Sequence, residues 1–223
     1  MVLAWHQHER DCPADGVGMT RVQTNASNTP IEMQSCSQDS HGYTTRRVKR
    51  NMHNKSGEKF SVRLATIQDA DSVTAVLQAA FPIMAAGHYD AEVLRLALPL
   101  ICQANPTLLK SGTYYVAVDA RGAVVGCGGW THEKPGSDTR EPQIGHMRHF
   151  ATDAGWVGRG VGRMIYQNSE AQAQEHGLKQ LEAYAGLNAI GFYRSLGFKE
   201  IGALSYSLAP GADYPSVHMS RLI

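Results

Sequence analysis

The sequence predicts an α/β domain with a mixed, largely antiparallel central sheet and helices on both faces. Three observations predict it. From Phe60 onward, stretches that alternate apolar and polar residues are interleaved with stretches whose apolar residues recur every three or four positions. The early strands follow one another through short turns, as antiparallel hairpins do. In the second half a strand, a glycine-dense turn, a helix and a further strand follow in order, which makes a β-α-β unit.

Taken in order, Phe60 to Ala65 alternates through Phe60, Val62 and Leu64 and reads as a strand. Asp69 to Phe81 places Val73, Val76, Leu77 and Ala80 at helical spacing. Tyr89 to Ile101 is a second helix, with Asp90 as N-cap and Pro99 near its end. Thr113 to Val118 is β-branched and aromatic, Asp119-Ala120-Arg121-Gly122 is a hairpin turn, and Ala123 to Trp130 returns. Lys134 to Pro142 is a loop and Gln143 to Thr152 a strand. Gly160 to Glu175 is a helix striped by Val161, Met164, Ile165 and Ala171, and Gly177 stops it. Gln180 to Tyr184 is a strand, Ala189 to Leu196 a short helix, and Lys199 to Leu208 with Ser216 to Leu222 a closing strand pair.

Composition narrows the classes. Among 223 residues, 43% are apolar and 18% charged, enough for a core and against a wholly disordered or collagen-like chain. The net charge of +1 gives no electrostatic case for nucleic acid or an anionic membrane as partner. No apolar run approaches the length of a membrane span, since Val93 to Ile101 is short and holds Arg95 and Pro99. Met1 to Trp5 breaks at once into His6, His8, Glu9, Arg10 and Asp11, unlike a signal peptide. Cys12, Cys36, Cys102 and Cys127 show no CxxC and no close Cys/His spacing, so the expectation is no metal, reduced thiols and a cytoplasmic location.

Residues 1–59 differ from the rest. They are rich in Ser, Thr, Asn, Gln and His, with Trp5 and Tyr43 as their aromatics, so they bury too little apolar surface to offset ordering entropy. They are expected to be a disordered extension ahead of a domain over 60–223. Met52 offers a second start position. Arg46 to Arg50 is a basic cluster, read first as a solvated linker.

The chemistry concentrates at Phe150-Ala-Thr-Asp-Ala-Gly-Trp-Val-Gly-Arg-Gly-Val-Gly-Arg163. Gly158, Gly160 and Gly162 alternate where the strand gives way to the helix. Glycine lets backbone approach a ligand and adopt positive φ. The first amides of the helix are unpaired and lie at the positive end of its dipole, and Arg159 and Arg163 add charge. This is a pyrophosphate-binding arrangement. It is neither a Walker A loop, which needs Lys-Ser/Thr, nor the dinucleotide pattern GxGxxG. A tight turn with close helix–strand packing remains the bland alternative.

Asn188-Ala-Ile-Gly-Phe-Tyr-Arg-Ser-Leu-Gly-Phe198 follows the next strand. With this element the chain resembles the GNAT superfamily of acetyl-CoA-dependent N-acetyltransferases over about residues 60 to 222. The family signature (Q/R)-x-x-G-x-(G/A) falls on Val157-Gly158-Arg159-Gly160-Val161-Gly162, with Val157 in place of Gln/Arg. The downstream family pattern matches Asn188, Phe192, Tyr193, Gly197 and Phe198.

The resemblance implies a GNAT-like sheet and direct acetyl transfer from acetyl-CoA to a primary amine in a ternary complex. A small-molecule amine is the first acceptor expected, a protein amine the second. It implies that the phosphates dock on Gly158 to Arg163, and that the pantetheine arm runs along Phe150, Ala151 and Thr152. There a backbone amide would polarise the thioester carbonyl. It makes Tyr193 the candidate general acid for the leaving thiolate. Counting back from Val157 gives His146 as candidate base, with a water relay as its rival and a plain strand histidine as the alternative. His149, three positions on, is expected on the opposite face. Trp130, His132 and Glu133, and His88 with Tyr89, are further positions on the acceptor side, with a half-buried core Trp and a solvated loop Glu as the plain alternatives. Many family members are homodimers. Two other readings stand beside this one: an acyl-CoA-binding sensor or scaffold without turnover, and a nucleotide-binding enzyme.

Overall fold

Alternating residues in the strands and three-to-four spacing in the helices assemble one eight-stranded sheet covered on both faces. The computed structural model describes residues 51–53, 59–209 and 212–223. The expected extension therefore lies outside the described residues, apart from Lys59 and a short strand β1, Asn51–His53, which pairs with the next strand.

Strand β2 (Lys59–Leu64) leads through a 3-10 turn into helix α1 (Ala70–Ala85). Asp69 fixes this junction. Its carboxylate accepts from the Thr66 amide at 2.8 Å and from both terminal nitrogens of Arg63, at 2.8 and 2.7 Å. Helix α1 continues four residues beyond the expected Phe81, through Pro82. Helix α2 spans Ala91–Ile101, and a five-residue helix α3, Pro106–Lys110, was not anticipated. Its start is nonetheless local chemistry, since Asn105 accepts from the Thr107 amide and Pro106 sits in the first turn.

Strands β3 (Tyr114–Asp119), β4 (Val124–Thr131) and β5 (Ile144–Thr152) form an antiparallel meander. Helix α4 (Val161–Glu175) crosses to β6 (Gln180–Gly186), which runs parallel to β5. Helix α5 (Ile190–Ser195) and the antiparallel pair β7 (Lys199–Ala209) and β8 (Ala212–Leu222) complete the order β1-β2-β3-β4-β5-β6-β8-β7. β5 and β6 are the one parallel pair in that sheet, so the expected mixed, largely antiparallel topology is what forms.

The strand period of two divides the core between the faces. Tyr114 and Val116 point to α1, packing with Val73, Val76 and Leu77. Tyr115 and Ala117 point to α4, packing with Val161, Met164 and Ile165. Further along the α4 face, Trp130, Met147, Leu181, Ala183 and Met219 bury Tyr166 of α4 and Tyr193 of α5. No helix among the described residues is long and apolar enough to cross a membrane.

Candidate active site

The site begins where two neighbouring strands part. β5 and β6 pair through Ile144–Gln180, Gly145–Leu181 and His146–Glu182, and no further. Beyond that point β5 also loses register with β4. Gly126 and Cys127 face Thr152 and Ala151, whereas Gly129 faces Arg148. Two residues of β5, His149 and Phe150, thus stand against Gly128 alone, which is a β-bulge. His149 takes φ 47°. Its carbonyl is turned inward and accepts from the Tyr114 hydroxyl at 2.9 Å. The bulge also brings Phe150 over Gly128, where a Cβ would come within 2.7 Å of the ring. Glycine is required there by contact alone.

A cavity of about 520 Å³ occupies the opening. It reaches from α1 and the β7–β8 pair on one face to the starts of α4 and α5 on the other. Of the residues expected to hold the cofactor, Phe150, Ala151, Thr152, Val157, Gly158, Gly160, Val161, Gly162, Arg163 and Asn188 line it, and so does Tyr193. Arg159 does not line it; its guanidinium lies 5.4 Å above the Trp156 ring.

At one end lies the glycine turn expected to hold an anion. Gly158 and Gly160 have φ 76° and 85°, and Gly160 caps α4. The helix ladder begins with the Met164 amide donating to the Gly160 carbonyl at 3.0 Å. The amides of Gly158, Gly160, Val161, Gly162 and Arg163 donate to no group among the described residues. Five N–H groups and the positive end of a helix dipole thus meet at the cavity. Val157, where the family carries Gln or Arg, is 60% exposed and adds no charge. Arg163 reaches across to α5, where its Nη2 donates to the Ser195 carbonyl at 3.4 Å.

Midway, Tyr193 is held among Phe150, Phe192 and Phe198, ring centroids 6.3, 5.2 and 5.2 Å away. Burial raises its pKa well above the ordinary phenol value, so it is protonated at neutral pH. Its hydroxyl makes no hydrogen bond among the described residues.

His146 does not reach the cavity. It is 1% exposed and sits at the last closed rung of the β5–β6 pairing, where the strands have not yet separated. It is not among the residues that line the cavity, because the strand opening that creates the site begins just beyond it. Burial lowers its pKa, with the Glu182 charge opposing. Around it lie Glu182, whose Oε2 is 3.8 Å from Nδ1, and the Tyr184 ring at 6.3 Å. Glu141, His146 and Glu182 bring one ligand atom each within 4.8 Å of one another. However, Glu141 is paired with Lys134 at 2.9 Å, and Glu182 with His218 at 3.0 Å.

His149 also departs from the expectation that it faces away. The bulge rotates it into the cavity wall beside Phe81, ring centroids 6.3 Å apart. Burial and the Arg148 charge push its pKa down to about 4. Trp130 is fully buried core, its Nε1 donating to Gln172 at 3.2 Å. Glu133 is bound by Arg140. Tyr89 stacks on Tyr214 at 4.3 Å and accepts from the Leu187 amide at 2.7 Å, tying the α1–α2 connection to the end of β6.

The sequence pointed to the anion turn and to Tyr193. It missed Arg148, Tyr184, Tyr206 and Tyr214, which line the cavity on the face opposite α4 and α5. Their alternation with buried apolar neighbours was visible, but nothing local distinguishes a residue facing a cleft from one facing solvent.

A strand opening beside a helix N-terminus, with amides that donate to no group among the described residues, is an arrangement that can hold an anionic ligand. Residues 110–200 match the family model of the acetyltransferase (GNAT) domain. The fold is similar to solved N-acetyltransferases. One is PaiA N-acetyltransferase from Thermoplasma acidophilum in complex with coenzyme A, at 15% identity and TM-score 0.55, over 74% of this chain and 99% of that one. Another is a GCN5-related N-acetyltransferase from Rhodopseudomonas palustris, at 18% and 0.56, over 78% and 98%. A third is a GNAT-family acetyltransferase from Staphylococcus aureus, at 14% and 0.53, over 73% and 98%. No curated protein matches the chain by sequence. The family match spans the turn before α4 and helix α5, and the solved structures share the fold.

Proposed function

We propose that this protein transfers an acetyl group from acetyl-CoA to a primary amine by direct attack in a ternary complex, and that residues 60–223 form the acetyltransferase domain. A small-molecule amine is the favoured acceptor. The observation that carries the reading is one continuous cavity. It joins five amides before and at the start of α4 that have no partner among the described residues, the opened edge of β5 and Tyr193.

The diphosphate docks on the amides of Gly158 to Arg163, and Arg163 supplies the full charge that Val157 does not. The pantetheine arm follows Phe150 to Thr152, whose edge toward β6 is left open where β6 departs, while Ala151 and Thr152 stay paired with β4 on the other side. The amine nitrogen attacks the thioester carbon. The negative charge gathering on the carbonyl oxygen is met by a β5 amide. The C–S bond breaks and the thiolate takes the proton of Tyr193 Oη. The phenolate recovers a proton from water, and the amine loses its proton to water in the cavity, since His146 has no direct access. Much of the rate comes from holding amine and thioester in line. Cys102 and Cys127, both buried free thiols, fit a cytoplasmic setting.

Calorimetry with acetyl-CoA tests this directly, with ATP and NAD as controls. Micromolar binding of acetyl-CoA alone is expected. Absence of binding, or tighter binding of ATP, would remove the reading.

A further inference from the structure

The cavity contains a cation that acetyl transfer does not use. Arg148 lies on β5 one residue beyond Met147, and Met147 belongs to the core on the α4 and α5 face. Arg148 therefore projects to the opposite face, away from the anion cradle. It lines the cavity and is largely withdrawn from solvent. Its Nη1 donates to Thr131 Oγ1 at 2.9 Å, a neutral partner. No carboxylate pairs with it among the described residues. Glu133 exerts a secondary attraction on it, but Glu133 is held by Arg140 Nε at 2.7 Å. Burial lowers the Arg148 pKa below that of ordinary arginine, yet a guanidinium keeps its charge.

The rest of the lining sharpens the point. Among the described residues it holds no Asp or Glu, and its charged side chains are Arg148 and Arg163. Arg163 stands at the anion cradle, where coenzyme phosphates would neutralise it. Arg148 has no such partner. A charge taken out of water is costly unless it is paired, and a guanidinium has five N–H donors in a planar fork matched to a carboxylate. Nothing in the wall would hold a second ammonium group, so a polyamine or a lysine-rich peptide finds no counter-charge. Around Arg148 the wall is apolar or aromatic, with Phe81, Met84, Tyr184 and Tyr206.

From this we infer that the acceptor is an amine bearing a carboxylate on an apolar body, an apolar amino acid in chemical class, and that Arg148 binds its carboxylate in the cavity. The inference rests on the acetyltransferase reading and names its substrate. The reaction gains no new step: the amino group becomes the amide and the carboxylate stays ionised. Arg148 is a specificity residue that touches the acceptor but no reacting bond.

The test compares acids with their amides on the full-length protein. Acetyl transfer is measured for L-phenylalanine, L-leucine and L-methionine and for the three corresponding amino-acid amides, in wild type, Arg148→Met and Arg148→Lys. Comparing the acid-to-amide ratio of kcat/KM between proteins cancels the different basicities of the two amines. The ratio is expected to fall at least about tenfold in Arg148→Met, the loss of one charge-assisted contact, and to recover in part in Arg148→Lys. Acetyl-CoA affinity is expected to be unchanged in both variants.

A second arm needs neither turnover nor a variant. Calorimetry on the CoA-bound wild type should show N-acetyl-L-phenylalanine binding at least about tenfold more tightly than its amide. Equal ratios in all three proteins, or equal or no binding of acid and amide in the second arm, would overturn the inference while acetyl-CoA binding still stands. Failure of the wild type to bind acetyl-CoA would overturn the acetyltransferase reading itself.

Discussion

Tyr193 and His149 are titratable groups that the protein holds in their neutral forms, for related reasons. Burial among aromatic rings keeps the Tyr193 proton in place, the form a general acid requires. Tyr193→Phe keeps the packing and removes the proton, so kcat should fall about a hundredfold or more with CoA affinity little changed, read by steady-state kinetics and calorimetry. For His149, the folded protein holds the pKa at about 4 against 6.5 for a free imidazole. Between those values the unfolded chain binds a proton that the folded chain refuses. Stability is therefore fully present above about pH 6.5 and declines as pH falls toward 4. Asn tolerates the φ of 47° at this position and does not titrate. Thermal melts at pH 7 and pH 5 should show His149→Asn losing less Tm on acidification than wild type. The exposed turn residues and Tyr193 were legible because local pattern names them. The fates of His146 and His149 were not, because they depend on where β6 leaves β5 and on a bulge fixed by the Tyr114 hydroxyl, 35 residues away.

Elements were legible in proportion to how local their causes are. Helices α1 and α4 follow from their stripes, and the hairpin at Asp119 to Gly122 from its turn residues. Strand β8 begins at Ala212, earlier than its apolar pattern from Ser216, because pairing with β7 holds the polar start in place. Helix α3 is a single capped turn, too short for any periodicity to announce. The turn before α4 carries the amides proposed to hold the coenzyme. Gly160 has φ 85° with no atom within 4 Å of where a Cβ would stand, so a side chain there fits sterically but strains the backbone and covers the amides. Gly160→Val is expected to abolish acetyl-CoA binding by calorimetry and to lower stability by about 1–3 kcal/mol in denaturant titration.

At the scale of the molecule, one sheet brings two chemistries together from opposite faces. The α4 and α5 face presents the amide cradle and Tyr193; the α1 face presents Arg148 and the tyrosines of β6, β7 and β8. A chain beginning at Asn51 retains every described strand. It is expected to bind acetyl-CoA with wild-type affinity, and loss of binding on this truncation would show that the domain needs what precedes it. The eight strands also divide into two antiparallel blocks, β1 to β5 and β6 to β8. Three paired positions at the β5–β6 seam hold the blocks together within the sheet. The same economy of hydrogen bonds that opens the cavity also makes this line the most thinly paired from β2 to β8, where native-state breathing is expected to begin, as amide hydrogen exchange would read.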